Sequence, residues 1–217
     1  FINNPKREIK RIKDILDRLT GVEKQTRDYL TKYKKAYRYA KLEQQNNLAQ
    51  FVTSGENDAE IVARLKAIAS AEEPFSEQFL MKRCLNSLGV LKYGAKVEER
   101  MLNLINLCEL KRETLCGKTY LRKTDKCLDC DFYRYEAGEP IRKTEQDFTP
   151  YEVIALIKGL LENKVSLYCD ELIALVCTEL KVARPSDRFT EFINQCIMLG
   201  VQKGIFIRSI SDRISFC

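Results

Sequence analysis

A chain of 217 residues with 31% charged and 45% apolar side chains has the composition of a soluble globular protein, and room for one large domain or two to three small ones. Its formal net charge of +6 permits a polyanionic partner without requiring one, because charge spread over several faces creates little local field. Histidine is absent, which removes Ser-His-Asp and Cys-His catalytic systems and every histidine-containing zinc site, and no apolar run approaches the ~18 residues that cross a membrane.

The chain opens on a helix signal. Asn4 can cap, Pro5 suits the first helical position, and Glu8 complements the helix dipole. Ile9, Ile12, Ile15, Leu16 and Leu19 then recur at three- and four-residue steps until Gly21. A second helix is expected over about 22–48, so that 1–53 reads as an N-terminal helical hairpin. On that helix Tyr29, Tyr33 and Tyr37 stand four apart among basic residues. Tyr33, Lys34, Tyr37, Arg38 and Lys41 form a basic-aromatic patch able to stack bases and neutralise phosphates. The same pattern is met if the tyrosines pack on the first helix while the lysines stay solvated.

After the polar break at Ser54-Gly55-Glu56-Asn57-Asp58, the chain repeats itself. Residues 61–105 align with 153–197 at one constant offset without a gap. Ile61 meets Val153, Leu65 meets Ile157, Leu80 meets Leu172, Cys84 meets Val176, Leu88 meets Leu180, Met101 meets Ile193 and Ile105 meets Ile197. Few polar identities accompany these pairs, so what recurs is a buried pattern and not a shared active site.

Each copy reads as a helix (59–70; 150–162), a short extended segment (74–75; 165–167), a second helix (76–88; 169–180), a tight turn (89–93; 181–185), a third helix starting near Gly94 or Ser186, and a β-hairpin (113–122; 205–216). The hairpin turns fall at Gly117-Lys118 and near Ser211-Asp212. Thr149, Pro150 and Glu152 supply a full capping box for the second copy. The expected class is mainly α with small β-hairpins (α+β), and the order is that of a winged helix, a helix-turn-helix variant. The chain then divides into a helical segment at 1–53, a first winged helix at 59–126, a linker at 127–148 and a second winged helix at 149–217.

The phrase Ala71-Glu72-Glu73-Pro74-Phe75-Ser76-Glu77-Gln78-Phe79-Leu80, followed by Arg83, Leu88-Gly89 and Gly94-Ala95-Lys96-Val97, resembles a C-terminal domain of unknown function carried by very large bacterial superfamily 1 helicase proteins. That family tends to carry a second, weaker copy after an arginine-containing linker. Pro140-Ile141-Arg142-Lys143 and Thr149-Pro150-Tyr151-Glu152 occupy that place here. Glu73 stands where the family has glycine, Pro185-Ser186 where it has a glycine-rich start to the third helix, and Tyr120 where it has tryptophan. The resemblance implies tandem winged helices attached to a motor and any nuclease lying outside this segment. The chain does not begin with Met and ends on an apolar, strand-like run at Ile214, so it reads as part of a longer protein.

Winged helices that bind DNA use the third helix and the wing. Here those elements carry Lys96 and Arg100 with Lys118, Arg122 and Lys123 in the first copy, and Arg184 and Arg188 with Arg208 and Arg213 in the second. Acidic neighbours such as Glu98, Glu99, Asp187 and Glu191 argue against base-specific reading. Cys127-Leu128-Asp129-Cys130 has metal-like spacing, and Cys116 is the nearest further thiol. Structural zinc usually needs two such pairs, so no metal or other cofactor is expected. Cys84, Cys108, Cys177 and Cys196 sit within helical apolar patterns, as reduced thiols in a cytoplasmic setting would.

No catalytic constellation stands out. The expected function is a non-catalytic nucleic-acid-binding accessory module of a helicase-like protein, contacting DNA or RNA backbone without sequence preference. The alternative is a protein-protein scaffold that docks other domains of the parent. Neither reading involves a membrane or a small-molecule substrate.

Overall fold

A computed structural model describes residues 30–45, 52–124, 131–138, 140–162 and 164–217. The first expected helix and the Cys127/Cys130 pair lie outside the described residues. The architecture is α+β, and none of the described helices is long and apolar enough to cross a membrane.

The first half contains helix α1 (Asp58–Glu72), strand β2 (Phe75–Ser76), helix α2 (Glu77–Ser87), helix α3 (Ala95–Asn106) and the hairpin β3 (Lys111–Leu115) and β4 (Lys118–Arg122). The second half contains α4 (Pro150–Leu161), β6 (Leu167–Tyr168), α5 (Cys169–Glu179), α6 (Asp187–Gln202) and the hairpin β7 (Phe206–Arg208) and β8 (Arg213–Phe216). In each half the short strand after the first helix pairs antiparallel with the second strand of the hairpin, giving sheets ordered β2-β4-β3 and β6-β8-β7. The repeated apolar positions explain why. Ile61, Leu65, Leu80, Cys84, Met101 and Ile105 are buried together in one cluster, and Val153, Ile157, Leu172, Val176, Ile193 and Ile197 are buried together in the other. Helix starts follow local chemistry. The Ser76 and Ser186 hydroxyls accept from the amides of Phe79 and Phe189, and Thr149 and Glu152 form the reciprocal capping box.

In its described part the expected helix over 22–48 does not continue beyond Leu30. Residues Thr31–Tyr33 form a single 3-10 turn, and Lys34–Ala36 form strand β1, which runs parallel to β5 (Tyr133–Tyr135). The ladder continues as the Tyr37 amide donates to the Tyr135 carbonyl at 2.8 Å. Backbone pairing with the linker therefore overrides a helical side-chain pattern. Tyr33 packs against α4 at Gly159, whereas Tyr37 turns toward the first half, so the two tyrosines do not stack along one face. Helix α4 is apolar around nearly its whole circumference. It packs on α5 and α6 and also on β5 and the Leu30–Tyr33 turn.

The two halves are docked through the first hairpin. The Tyr151 hydroxyl donates to the Glu113 carboxylate at 2.7 Å, Leu115 packs on the second cluster, and the Lys118 ammonium lies 5.2 Å from the centre of the Phe192 ring. Lys82 reaches Asp147 at 3.3 Å, and the Ser76 hydroxyl donates to the Gln146 carbonyl.

Gly200 on α6 lets Phe206 of β7 lie directly on the helix, because a Cβ there would collide with the ring. Gly200→Ala should lower unfolding free energy by about 1–3 kcal/mol through overpacking, despite the ~1 kcal/mol gain in helix propensity. Denaturant titration reads this, and an unchanged or raised midpoint would contradict the packing described.

A buried arginine seam and the candidate nucleic-acid surfaces

Between the two apolar clusters runs a polar seam built from four parts of the chain. At its centre the Glu152 carboxylate, the capping-box acid of α4, is fully buried. Arg134 of β5 grips it as a fork, Nε on Oε1 and Nη2 on Oε2, each at 2.7 Å. Arg142 adds Nη1 on Oε1 at 2.9 Å. Arg134 also closes the gap to the first half. Arg134 donates to the backbone carbonyls of Glu72 and Pro74, and Arg142 donates to the carbonyl of Arg134.

Tyr37 forms the roof of this arrangement. The guanidinium carbons of Arg134 and Arg142 lie 4.8 and 4.3 Å from its ring centre, and Arg142 also faces Phe148 at 4.8 Å. The Tyr37 hydroxyl donates to the buried Glu72 carboxylate at 2.9 Å. Glu72 is held in turn by Arg83, Nε at 3.1 Å and Nη2 at 2.7 Å, and by the Ala40 amide at 2.9 Å. Two bidentate arginine–carboxylate pairs thus tie the N-terminal stretch, the first half, the linker and the second half together.

Burial alone would push the Glu152 carboxyl up, but Arg134 and Arg142 outweigh it and hold the group down to about 2. Burial is also the main reason the Tyr37 phenol is pushed far above its ordinary range. Both groups are locked in one protonation state near neutrality. Beside the seam opens a cleft of about 480 Å³, lined among others by Lys34, Glu136, Arg142, Glu179 and Lys181. Its charges are mutually engaged. Lys34 meets Glu179 at 3.9 Å, Arg142 Nε lies 3.6 Å from Glu136, and the Lys181 ammonium donates to the carbonyls of Glu136 and Gly138 at 2.8 and 2.9 Å.

The cationic candidates fall into two sets. Arg100 pairs with Asp58 at 2.5 Å, Arg122 with Glu113 at 2.8 Å, Lys118 with Glu145 at 3.8 Å and Arg208 with Asp212 at 2.6 Å. Arg213 donates to the Ser166 hydroxyl at 2.9 Å and stacks on Tyr168. Lys123 is exposed; its ammonium donates to the Ser70 hydroxyl at 3.2 Å, and its backbone amide donates to the Glu73 carboxylate at 2.5 Å. Lys96, Arg184 and Arg188 are exposed and have no carboxylate partner among the described residues. Arg184 and Arg188 flank Ser186, the cap of α6.

The basic-aromatic patch is taken apart by the fold. Tyr33 and Tyr37 are buried, so neither ring can stack a base, while Lys34, Arg38 and Lys41 remain exposed. The first hairpin, expected as a basic wing contacting nucleic acid, packs on the second half. Among the described residues no cluster of acids and thiols could hold a metal ion. Cys116 lies in the hairpin turn beside Cys196, so its neighbour is a core thiol of the other half.

Sequence reading found Glu152 only as a capping residue and missed the seam around it. The available signal was two arginines, Arg134 and Arg142, in a linker that precedes a helix start needing one acid. Comparison with family models, with curated proteins and with solved structures finds no match to this chain.

The seam gives stability a definite pH dependence. Glu152 has its folded pKa depressed from an ordinary 4.5 to about 2, so its contribution is present above about pH 4.5 and is lost as pH falls toward 2. Glu152→Gln should cost on the order of 3–5 kcal/mol at neutral pH, since it leaves two buried guanidiniums without a counter-charge. It should also flatten the loss of stability between those pH values. Parallel stability curves for the two proteins across that window would contradict the assignment.

Proposed function

We propose that this chain is a tandem winged-helix module that does no chemistry itself and contacts nucleic-acid backbone, chiefly from its second unit, as an accessory part of a larger helicase-like protein. The order of helix, strand, helix, helix and hairpin in both halves supports the winged-helix reading, and the resemblance of residues 71–97 supports the helicase context. The observation that carries the contact surface is the pair Arg184 and Arg188. They stand exposed and without a carboxylate partner among the described residues, on either side of the Ser186 cap, where the helix dipole of α6 also favours an anion. Lys96 at the corresponding helix start of the first unit offers a weaker contact, opposed by Glu98 and Glu99. Such a surface positions a backbone and reads no bases, because its few cations neighbour Asp187 and Glu191.

A second reading, a scaffold that docks other domains, is favoured by one specific feature. The first hairpin is spent on the interface with the second half, and Arg100, Arg122 and Arg208 are neutralised by carboxylates.

Fluorescence anisotropy with duplex, single-stranded and forked DNA at two salt concentrations separates the readings. Backbone contact by two to three cations should give weak binding with a log–log salt slope of about −2 to −3. Arg184→Glu with Arg188→Glu should weaken binding at least tenfold and flatten that slope by about 2. No binding at low salt would overturn the nucleic-acid reading in favour of the scaffold. Binding unaffected by the double substitution would overturn the assigned surface.

A further inference from the structure

The turn of the first hairpin has an unusual occupant. β3 and β4 are joined by the two residues Cys116 and Gly117, whose φ angles of +50° and +71° are both left-handed, as a type I′ turn requires. Asn, Asp or Gly normally fills the first of these positions, and a cysteine with positive φ is conformationally strained. Gly117 faces open space, but Cys116 beside it is partly covered. The turn sits on α6, where the Lys118 ammonium lies over Phe192, and one helical turn further on the Cys116 thiol is in hydrogen-bond contact with the Cys196 thiol. Cys196 is fully buried, Cys116 is half-buried, and the phenol of Tyr120 is buried beside both sulfurs.

Four other buried thiols among the described residues differ in kind. Cys84 and Cys108 are neighbours in the first core, but burial pushes both up, Cys84 to about 12, and the Cys108 thiol is turned onto the Leu104 carbonyl. Burial likewise raises Cys169 and Cys177. Cys116 moves the opposite way. The contact with Cys196 lowers it first, Lys118 assists, and partial burial opposes them without prevailing. A half-exposed thiol held below its ordinary pKa, with a second thiol in contact, is the arrangement of an attacking and a resolving cysteine.

We propose that Cys116 and Cys196 form a reversible redox pair whose disulfide staples the first hairpin to helix α6 and so fixes the two halves to each other. A peroxide supplies the oxidising equivalents. The Cys116 thiolate attacks one peroxide oxygen, the O–O bond breaks, and Cys116 becomes a sulfenic acid as hydroxide leaves. The Cys196 sulfur then attacks the Cys116 sulfur, expelling the sulfenic oxygen, and its own proton completes a water. Two thiols and one hydrogen peroxide become one disulfide and two waters. A low-molecular-weight dithiol reverses the step through a mixed disulfide. Because the bond closes a long loop between the two halves, oxidation raises thermal stability.

The test is peptide mass mapping of the intact chain without reduction, before and after treatment with near-stoichiometric hydrogen peroxide and after dithiothreitol. The expected result is a Cys116–Cys196 linked peptide, lighter by two hydrogens than its parts, that appears on oxidation and disappears on reduction. The melting temperature should rise with it by roughly 5–10 °C. Cys116→Asn keeps the fold because Asn suits the turn, and it should abolish both the linked peptide and the melting shift. Cys127→Ser with Cys130→Ser should leave both intact. Oxidation that links other cysteines only, that leaves Cys196 free for alkylation after denaturation, or that shifts the melting of the Cys116→Asn variant equally would overturn the proposal.

Discussion

One carboxylate, Glu152, governs how the parts of this protein sit together. It begins a helix whose apolar surface is buried nearly all round, so it cannot be left to water, and an unpaired charge there would be costly. Arg134 and Arg142 meet that requirement, and both come from the linker. The linker can deliver them because β5 is held by β1, and β1 continues into Tyr37, whose ring covers the two guanidiniums. The helix cap, the linker path and the position of the N-terminal stretch are therefore one constraint. Glu72, with Arg83 and the Tyr37 hydroxyl, extends the same logic into the first half.

This arrangement has a consequence for how the two halves sit together. With the first hairpin packed on α6 and the linker pinned in the seam, the two halves present a fixed relative geometry and not a pair of independently swinging modules. The inner face of the first hairpin is used to hold the two halves together. Of the cationic candidates, Lys96, Arg184 and Arg188 have no carboxylate partner among the described residues and lie beside helix starts, while Arg38 and Lys41 are exposed on the N-terminal stretch.

Much of the fold was legible in the sequence because its determinants are local. The apolar positions of 61–105 and 153–197 repeat at helical spacing, and Thr149, Pro150 and Glu152 mark a helix start within four residues. The strand-like runs at Ile205 and Ile214 gave the second hairpin, realised as Phe206–Arg208 and Arg213–Phe216. The failures were nonlocal. Lys34–Ala36 lies in a run of tyrosines and lysines with helical spacing, and only its distant partner Tyr133–Tyr135 makes it a strand. The charge surface was readable as composition but not as pairing, since Arg100 is neutralised by Asp58 from another helix. Arg208 with Asp212 is local, four residues apart, and could have been set aside from the sequence. The seam itself was hidden for the same reason as β1: its arginines and acids meet only after the linker has folded back.

The central claim is that the seam and the docked hairpin make the two halves one cooperative body. Scanning calorimetry under reducing conditions addresses it directly. The account predicts a single transition whose calorimetric and van't Hoff enthalpies agree, and its division into two resolved transitions in a Glu152→Ala variant. Two separate transitions in the unaltered protein, one for each half, would contradict it.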